Sequence, residues 1–147
     1  MYIKTHPPVT VLYSTHRVTL KELNQLQNVV KELYAEAAAN AFISGPLYWI
    51  YHGADGKPDT EFTLEIAVPV QGAVNASKFQ VKQLSPFKAV THRFEGSYDQ
   101  LYAAYGDIMH HIDSNKIPIN EESREVYLNV DFQQPENNVT EIQMGVL

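Results

Sequence analysis

Two strand-like segments of this chain carry the same signature. Phe62-Thr63-Leu64-Glu65-Ile66-Ala67-Val68-Pro69-Val70 and the closing stretch from Asn138 to Val146 both contain Glu-Ile-x-x-x-Val. Glu141 follows Glu65 by 76 positions, Tyr127 follows Tyr51 by 76, and Asp131 follows Asp55 by 76. A shared offset at three places points to one unit used twice, and a repeat constrains the fold more than any local signal. Two copies in 147 residues suit one pseudo-symmetric domain spanning 1–147 better than a solenoid array, with copies over about 8–70 and 86–147.

Each copy reads strand, helix, strand, strand. Pro8 to Ser14 is rich in β-branched and aromatic residues and predicts a strand. Thr19 with Glu22 three residues on predicts a capping box, and Leu23, Leu26, Val30, Leu33, Tyr34, Ala37, Ala38 and Ala41 recur at helical spacing as far as Gly45-Pro46. Leu47 to His52 and Phe62 to Val70 predict a hairpin around a polar turn, and Gln71 to Ser85 a connector. In the second copy a strand runs from Pro86 to about Phe94. Ser97 and Gln100 predict another capping box, opening a helix whose apolar face is Tyr98, Leu101, Tyr102, Tyr105, Ile108, Met109 and Ile112. Arg124 to Asn129 and Asn138 to Val146 close the unit, with Ser114 to Ser123 and Asp131 to Asn137 as loops. The fold class expected is α+β: two pseudo-symmetric β-α-β-β units, an antiparallel sheet with helices on one face, and a ligand groove between the units.

Charge and composition narrow the function classes. The formal net charge is −6 without a basic stripe, which argues against direct nucleic-acid contact. No apolar run is long enough to cross a bilayer, and the N-terminus lacks a signal peptide's apolar core. The chain has no cysteine, which excludes disulfides and cysteine-ligated metal, and a cytoplasmic location is expected. His110-His111 beside Asp107 and Asp113 offer only one i,i+3 pair, too few ligands for a metal, so neither metal nor cofactor is expected.

Strand alternation then selects the candidate site. Phe62, Leu64 and Ile66 share one face, expected against a helix, and Glu65 points away. By the same rule Ile142 and Val146 face the helix, and Glu141 faces away. Ile50 and Val126 read as helix-side, which puts Trp49, Tyr51, Glu125 and Tyr127 on the open face with Glu65 and Glu141. Aromatic rings beside carboxylates suit a flat cationic or amphipathic guest, since each cation–π contact contributes on the order of 0.5–2 kcal/mol. An alternative reading makes Tyr51 and Tyr127 ordinary cross-strand packing and Tyr102 and Tyr105 helix-core residues, with Tyr98 at the groove edge.

Glu95-Gly96-Ser97-Tyr98-x-x-Leu101, then Arg124-Glu125-Val126-Tyr127-Leu128, then Val139-Thr140-Glu141-Ile142, resemble the GyrI-like small-molecule-binding domain, which is also the effector-binding domain of AraC/BmrR-type regulators. The resemblance covers nearly the whole chain and implies two β-α-β-β units with a ligand groove between them. It implies that Glu141 contacts a cationic ligand at the groove floor and that Tyr127, Trp49 and Tyr51 line the walls. The chain begins directly at the effector unit and so resembles the stand-alone branch. Three functions follow as expectations: a stand-alone sensor or sequestering protein for aromatic cations, which makes the chain a binder before an enzyme; a hydrolase of cyclopropane-bearing genotoxins with Glu141 as general base; or an interaction protein whose partner is DNA gyrase. Assembly with a second copy stays open. The candidate ligand-binding residues are Glu141, Tyr127, Trp49, Tyr51, Glu65 and Tyr98.

Overall fold

Thr19 opens the first helical segment through the box expected of it. The Glu22 carboxylate accepts the Thr19 N–H at 2.8 Å and the Thr19 hydroxyl at 3.1 Å. The structure, a computed structural model, describes residues 1–72 and 78–147. Within these residues the strands are β1 (Tyr2–His6), β2 (Val9–Val18), β3 (Phe42–Ile43), β4 (Tyr48–His52), β5 (Phe62–Gln71), β6 (Gln80–Leu84), β7 (Phe87–Glu95), β8 (Ile119–Asn129) and β9 (Val139–Val146). Helix α1 (Gln27–Asn40) follows β2, and α2 (Leu101–Ser114) follows β7.

All strands join one antiparallel sheet in the order β1-β7-β9-β8-β4-β5-β2-β6, with β3 beside β5. Outwards from the β4–β8 junction, one side runs β8, β9, β7 and the other β4, β5, β2. Strands β1 and β6 extend the two edges. Both helices lie on one face. Leu26, Leu33 and Ala37 pack on Leu12, Phe62, Leu64, Ile66 and Val68, while Ala104, Ile108 and Ile112 pack on Val90, Ile142 and Val146. Each fully buried Leu or Ile side chain contributes roughly 1.5–3 kcal/mol.

Several elements differ from the sequence-based expectation. Leu20–Leu26 is a 3₁₀ segment, and α1 stops at Asn40, well before Gly45. Ala38, expected on the buried face, is exposed, and beyond Asn40 the chain leaves the helix so that Phe42 and Ile43 pair with Gln71 and Val70. At the second helix the Ser97 hydroxyl bonds the Asp99 carboxylate instead of forming a box with Gln100, because a charged acceptor makes the stronger bond. A 3₁₀ turn over Tyr98–Gln100 results, and Tyr102 is 86% exposed rather than part of the apolar face. Strand β8 begins at Ile119; its polar Glu122 and Ser123 hid it, yet they pair with His52 and Tyr51. Strand β1 and β6, which falls inside the stretch read as a connector, are additional edges; residues 73–77 of that connector lie outside the described residues.

The sheet is buried on both faces. Val11, Ile50, Ala67 and Leu84 form a second, smaller core on the face away from the helices. Antiparallel partners share a face, so register decides orientation. Trp49 pairs with Ile66 and Glu125, Tyr51 with Leu64 and Ser123, and Tyr127 with Thr140. These residues therefore face the helices. The expected open-face placement of Trp49, Tyr51, Glu125 and Tyr127 is wrong because Ile50 and Val126 serve the outer face, not the helix face. Glu65 pairs with Ile50, and Glu141 pairs with Val126 and Arg93, on that outer side.

Candidate functional site

Helix α1 covers β2 and β5, and α2 covers β7 and β9. The helix-side residues of the two central strands form the floor between them: Trp49, Tyr51, Glu125 and Tyr127. Glu125 is only 7% exposed. Its Oε1 accepts the hydroxyls of Tyr51 at 3.0 Å and Tyr127 at 2.5 Å, and its Oε2 accepts the hydroxyl of Tyr105, from α2, at 2.5 Å. Among the described residues no Lys, Arg or His forms an ion pair with it.

Burial, reinforced by the Glu125 charge, pushes the hydroxyls of Tyr51, Tyr105 and Tyr127 well above the usual tyrosine value. All three stay protonated and act as donors. A hydrogen bond to a charged group stabilises by about 1.5–3 kcal/mol, which is how an otherwise unpaired carboxylate is held among buried rings.

Rings complete the walls. Trp49 and Tyr127 meet edge to face with centroids 6.2 Å apart, and Tyr98 stands over Tyr127 in the same way at 5.8 Å. Tyr51 leans on Phe62 at 5.7 Å. Tyr98 is 40% exposed and forms the rim. Its position depends on Gly96, whose φ of +151° suits glycine and whose N–H donates to the Asn138 carbonyl at 2.9 Å.

The structure thus brings Trp49, Tyr51, Tyr127 and Tyr98 together and separates them from Glu65 and Glu141. Glu65 is bonded by His52 at 2.8 Å and by Lys82. Glu141 lies 3.5 Å from Arg93 and accepts the Gln143 amide at 2.9 Å. Both carboxylates already have partners, on the face opposite the aromatic cluster. Glu125, grouped with these rings by strand alternation but not named among the ligand-binding residues, and Tyr105, read as a helix-core residue, complete the site. Tyr105 sits seven residues after Tyr98, two helical turns along one face, which was the available signal. Among the described residues no group of three or more His, Asp or Glu side chains is arranged to hold a metal.

A family model for the GyrI-like small molecule binding domain matches residues 1–147. The chain belongs to this GyrI-like family. Among curated proteins, none matches it in sequence. Solved structures resemble this GyrI-like domain over 99% of its length. The EcmrR C-terminal domain shares 21% identity, is covered over 96% of its chain, and has a TM-score of 0.78. SAV2435 bound to tetraphenylphosphonium shares 16% identity, with 93% of that chain covered and a TM-score of 0.71. A hydrolase encoded by lin2189 from Listeria innocua shares 13% identity, with 91% covered and a TM-score of 0.72. At such identities the likeness concerns the fold, and the GyrI-like domain is accordingly α+β with an antiparallel sheet. No helix of the described residues is long and apolar enough to cross a membrane.

Proposed function

We propose that this GyrI-like domain binds aromatic or amphipathic cations in the cleft between α1 and α2, as a sensor or sequestering protein, with Glu125 as counter-charge. The observation that carries this reading is the Glu125 carboxylate, buried and bonded by three tyrosine hydroxyls but by no cation among the described residues. A guest cation supplies the missing partner, and the Trp49, Tyr98 and Tyr127 rings supply apolar area and cation–π attraction. The tetraphenylphosphonium complex of SAV2435 is consistent with a guest of this class. Tyr98 covers Tyr127 and is the most exposed ring of the cleft, so a bulky guest enters by displacing it. The reading treats 1–147 as one effector-binding unit made of two copies, supported by the matching strand order on the two sides of the β4–β8 junction.

Thermal unfolding with tetraphenylphosphonium tests the assignment. At about 100 times its dissociation constant a ligand adds roughly 2.7 kcal/mol of stability. Glu125→Gln is expected to lose this protection, and Glu141→Gln to keep it. The reverse pattern overturns the role of Glu125.

Hydrolysis of an electrophilic guest is a second reading, favoured by the structural neighbour called a hydrolase. Glu125, not Glu141, is then the general base within reach of a cleft-bound guest, and turnover of a cyclopropane-bearing probe must vanish in Glu125→Gln.

A further inference from the structure

Among the described residues, four buried side-chain atoms have no hydrogen-bond partner: Glu36 Oε2, Trp49 Nε1, Thr140 Oγ1 and Gln143 Oε1. Two of them belong to the aromatic cleft. Trp49 is 8% exposed and meets the Tyr127 ring edge to face. Thr140 is fully buried and is the register partner of Tyr127 on the opposite side, in β9. Tyr127 thus has on each side, on the helix-side face, a residue with an unpaired polar atom. Buried polar groups are paired in the great majority of cases, and leaving one unmade costs about 1–3 kcal/mol. Of the four, the Trp49 N–H is the one carried by a ring of the cluster around Glu125.

The chemistry of this group defines the guest. An indole N–H only donates, so it requires an acceptor; a threonine hydroxyl rotates to donate or accept. We propose that the unpaired Trp49 N–H beside Tyr127 is a polar seat that selects, among aromatic cations, those that also carry a hydrogen-bond-accepting oxygen such as a carbonyl. This specificity rests on the reading of Glu125 as counter-charge and adds a second point of recognition. A cation lacking the oxygen leaves the indole N–H unpaired in the complex, and a site with an unmet buried donor discriminates against such an analogue.

Calorimetric titration of the full chain with tetraphenylphosphonium and with (4-acetylphenyl)triphenylphosphonium tests it. The acetyl compound is expected to bind wild type about tenfold more tightly, one hydrogen bond's worth of discrimination. Trp49→Phe is expected to abolish the preference, its smaller ring lowering affinity for both cations alike, and Thr140→Val, across β8 from the indole, to preserve it. Trp49 is the only tryptophan, so its indole N–H gives a single NMR cross-peak in the unmodified protein. That peak is expected to move downfield with the acetyl compound and not with the parent. Equal affinities in wild type, or a preference that survives Trp49→Phe, overturn the seat and leave the counter-charge intact. Failure of both cations to bind wild type overturns the counter-charge and the seat with it.

Discussion

Three hydroxyls converge on Glu125, but they are not equivalent. Oε1 has two donors, Tyr51 and Tyr127, and Oε2 has Tyr105 alone. Tyr105→Phe therefore leaves one buried carboxylate oxygen without its donor and is expected to destabilise by about 1.5–3 kcal/mol. Tyr51→Phe leaves Oε1 still bonded by Tyr127, and its cost is expected to be smaller. Urea denaturation of the two variants measures the difference; equal costs overturn the unequal roles. In the sequence, Trp49 and Tyr51, and likewise Glu125 and Tyr127, could be grouped, because alternate residues of a strand share a face. Which face they share was not legible, since Ile50 is apolar and buried whichever core it serves.

Elements were legible where one local force dominates. The box at Thr19 and the uninterrupted alternation from Phe62 to Val70 read directly as structure. Helix ends and sheet edges did not. β1 carries Tyr2, Ile3 and Lys4 largely exposed, and its existence depends on pairing with β7, from Thr91 back to Phe87. The loop that joins β7 to α2 depends on one glycine. A Cβ at Gly96 would lie 2.9 Å from the Phe94 ring and 3.0 Å from the Gln100 side chain, at a backbone angle that L residues avoid. Gly96→Ala is expected to cost at least about 1 kcal/mol and to shift Tyr98 from its place over Tyr127. Chemical denaturation, together with the change in the Trp49 emission spectrum, checks both effects.

Across the whole molecule, the two halves meet at the β4–β8 junction, and charged side chains tie its outer face. His52 on β4 bonds Glu65 on β5 at 2.8 Å and lies 3.9 Å from Glu122 on β8. Lys82 on β6 reaches Glu65 and lies 4.2 Å from the Tyr13 ring centroid, and Arg124 bonds Glu122 at 2.7 Å. The His52 hydrogen bond, with help from Lys82, lowers Glu65 to about 2, and the same bond raises His52. A raised histidine stabilises fully below its unfolded value of 6.5 and loses this as pH climbs through the folded value. A lowered glutamate stabilises above its unfolded value of 4.5 and loses this as pH falls toward 2. The contribution of the pair is therefore greatest between pH 4.5 and 6.5. The stability difference between wild type and His52→Asn is expected to peak in that window, at up to about 1 kcal/mol because water screens the half-exposed imidazole. Unfolding free energies measured across the pH range test this, and a flat difference overturns it.

What the sequence determined by itself is what a short window or a fixed offset can carry: the recurring Glu-Ile-x-x-x-Val, the strand and helix alternation, one cap, and the gathering of rings and carboxylates on the strands. What only the tertiary structure decided is which carboxylate stands among the rings. Glu65, Glu125 and Glu141 are alike as sequence in that each is followed on its strand by a β-branched apolar residue, Ile66, Val126 or Ile142. Their difference arises from cross-strand register and from long-range neighbours. His52, Lys82 and Arg93 reach Glu65 and Glu141 on the outer face, while Tyr105 descends from α2 onto Glu125. A strand's period of two shows which residues share a side, but only packing against both layers shows which side it is.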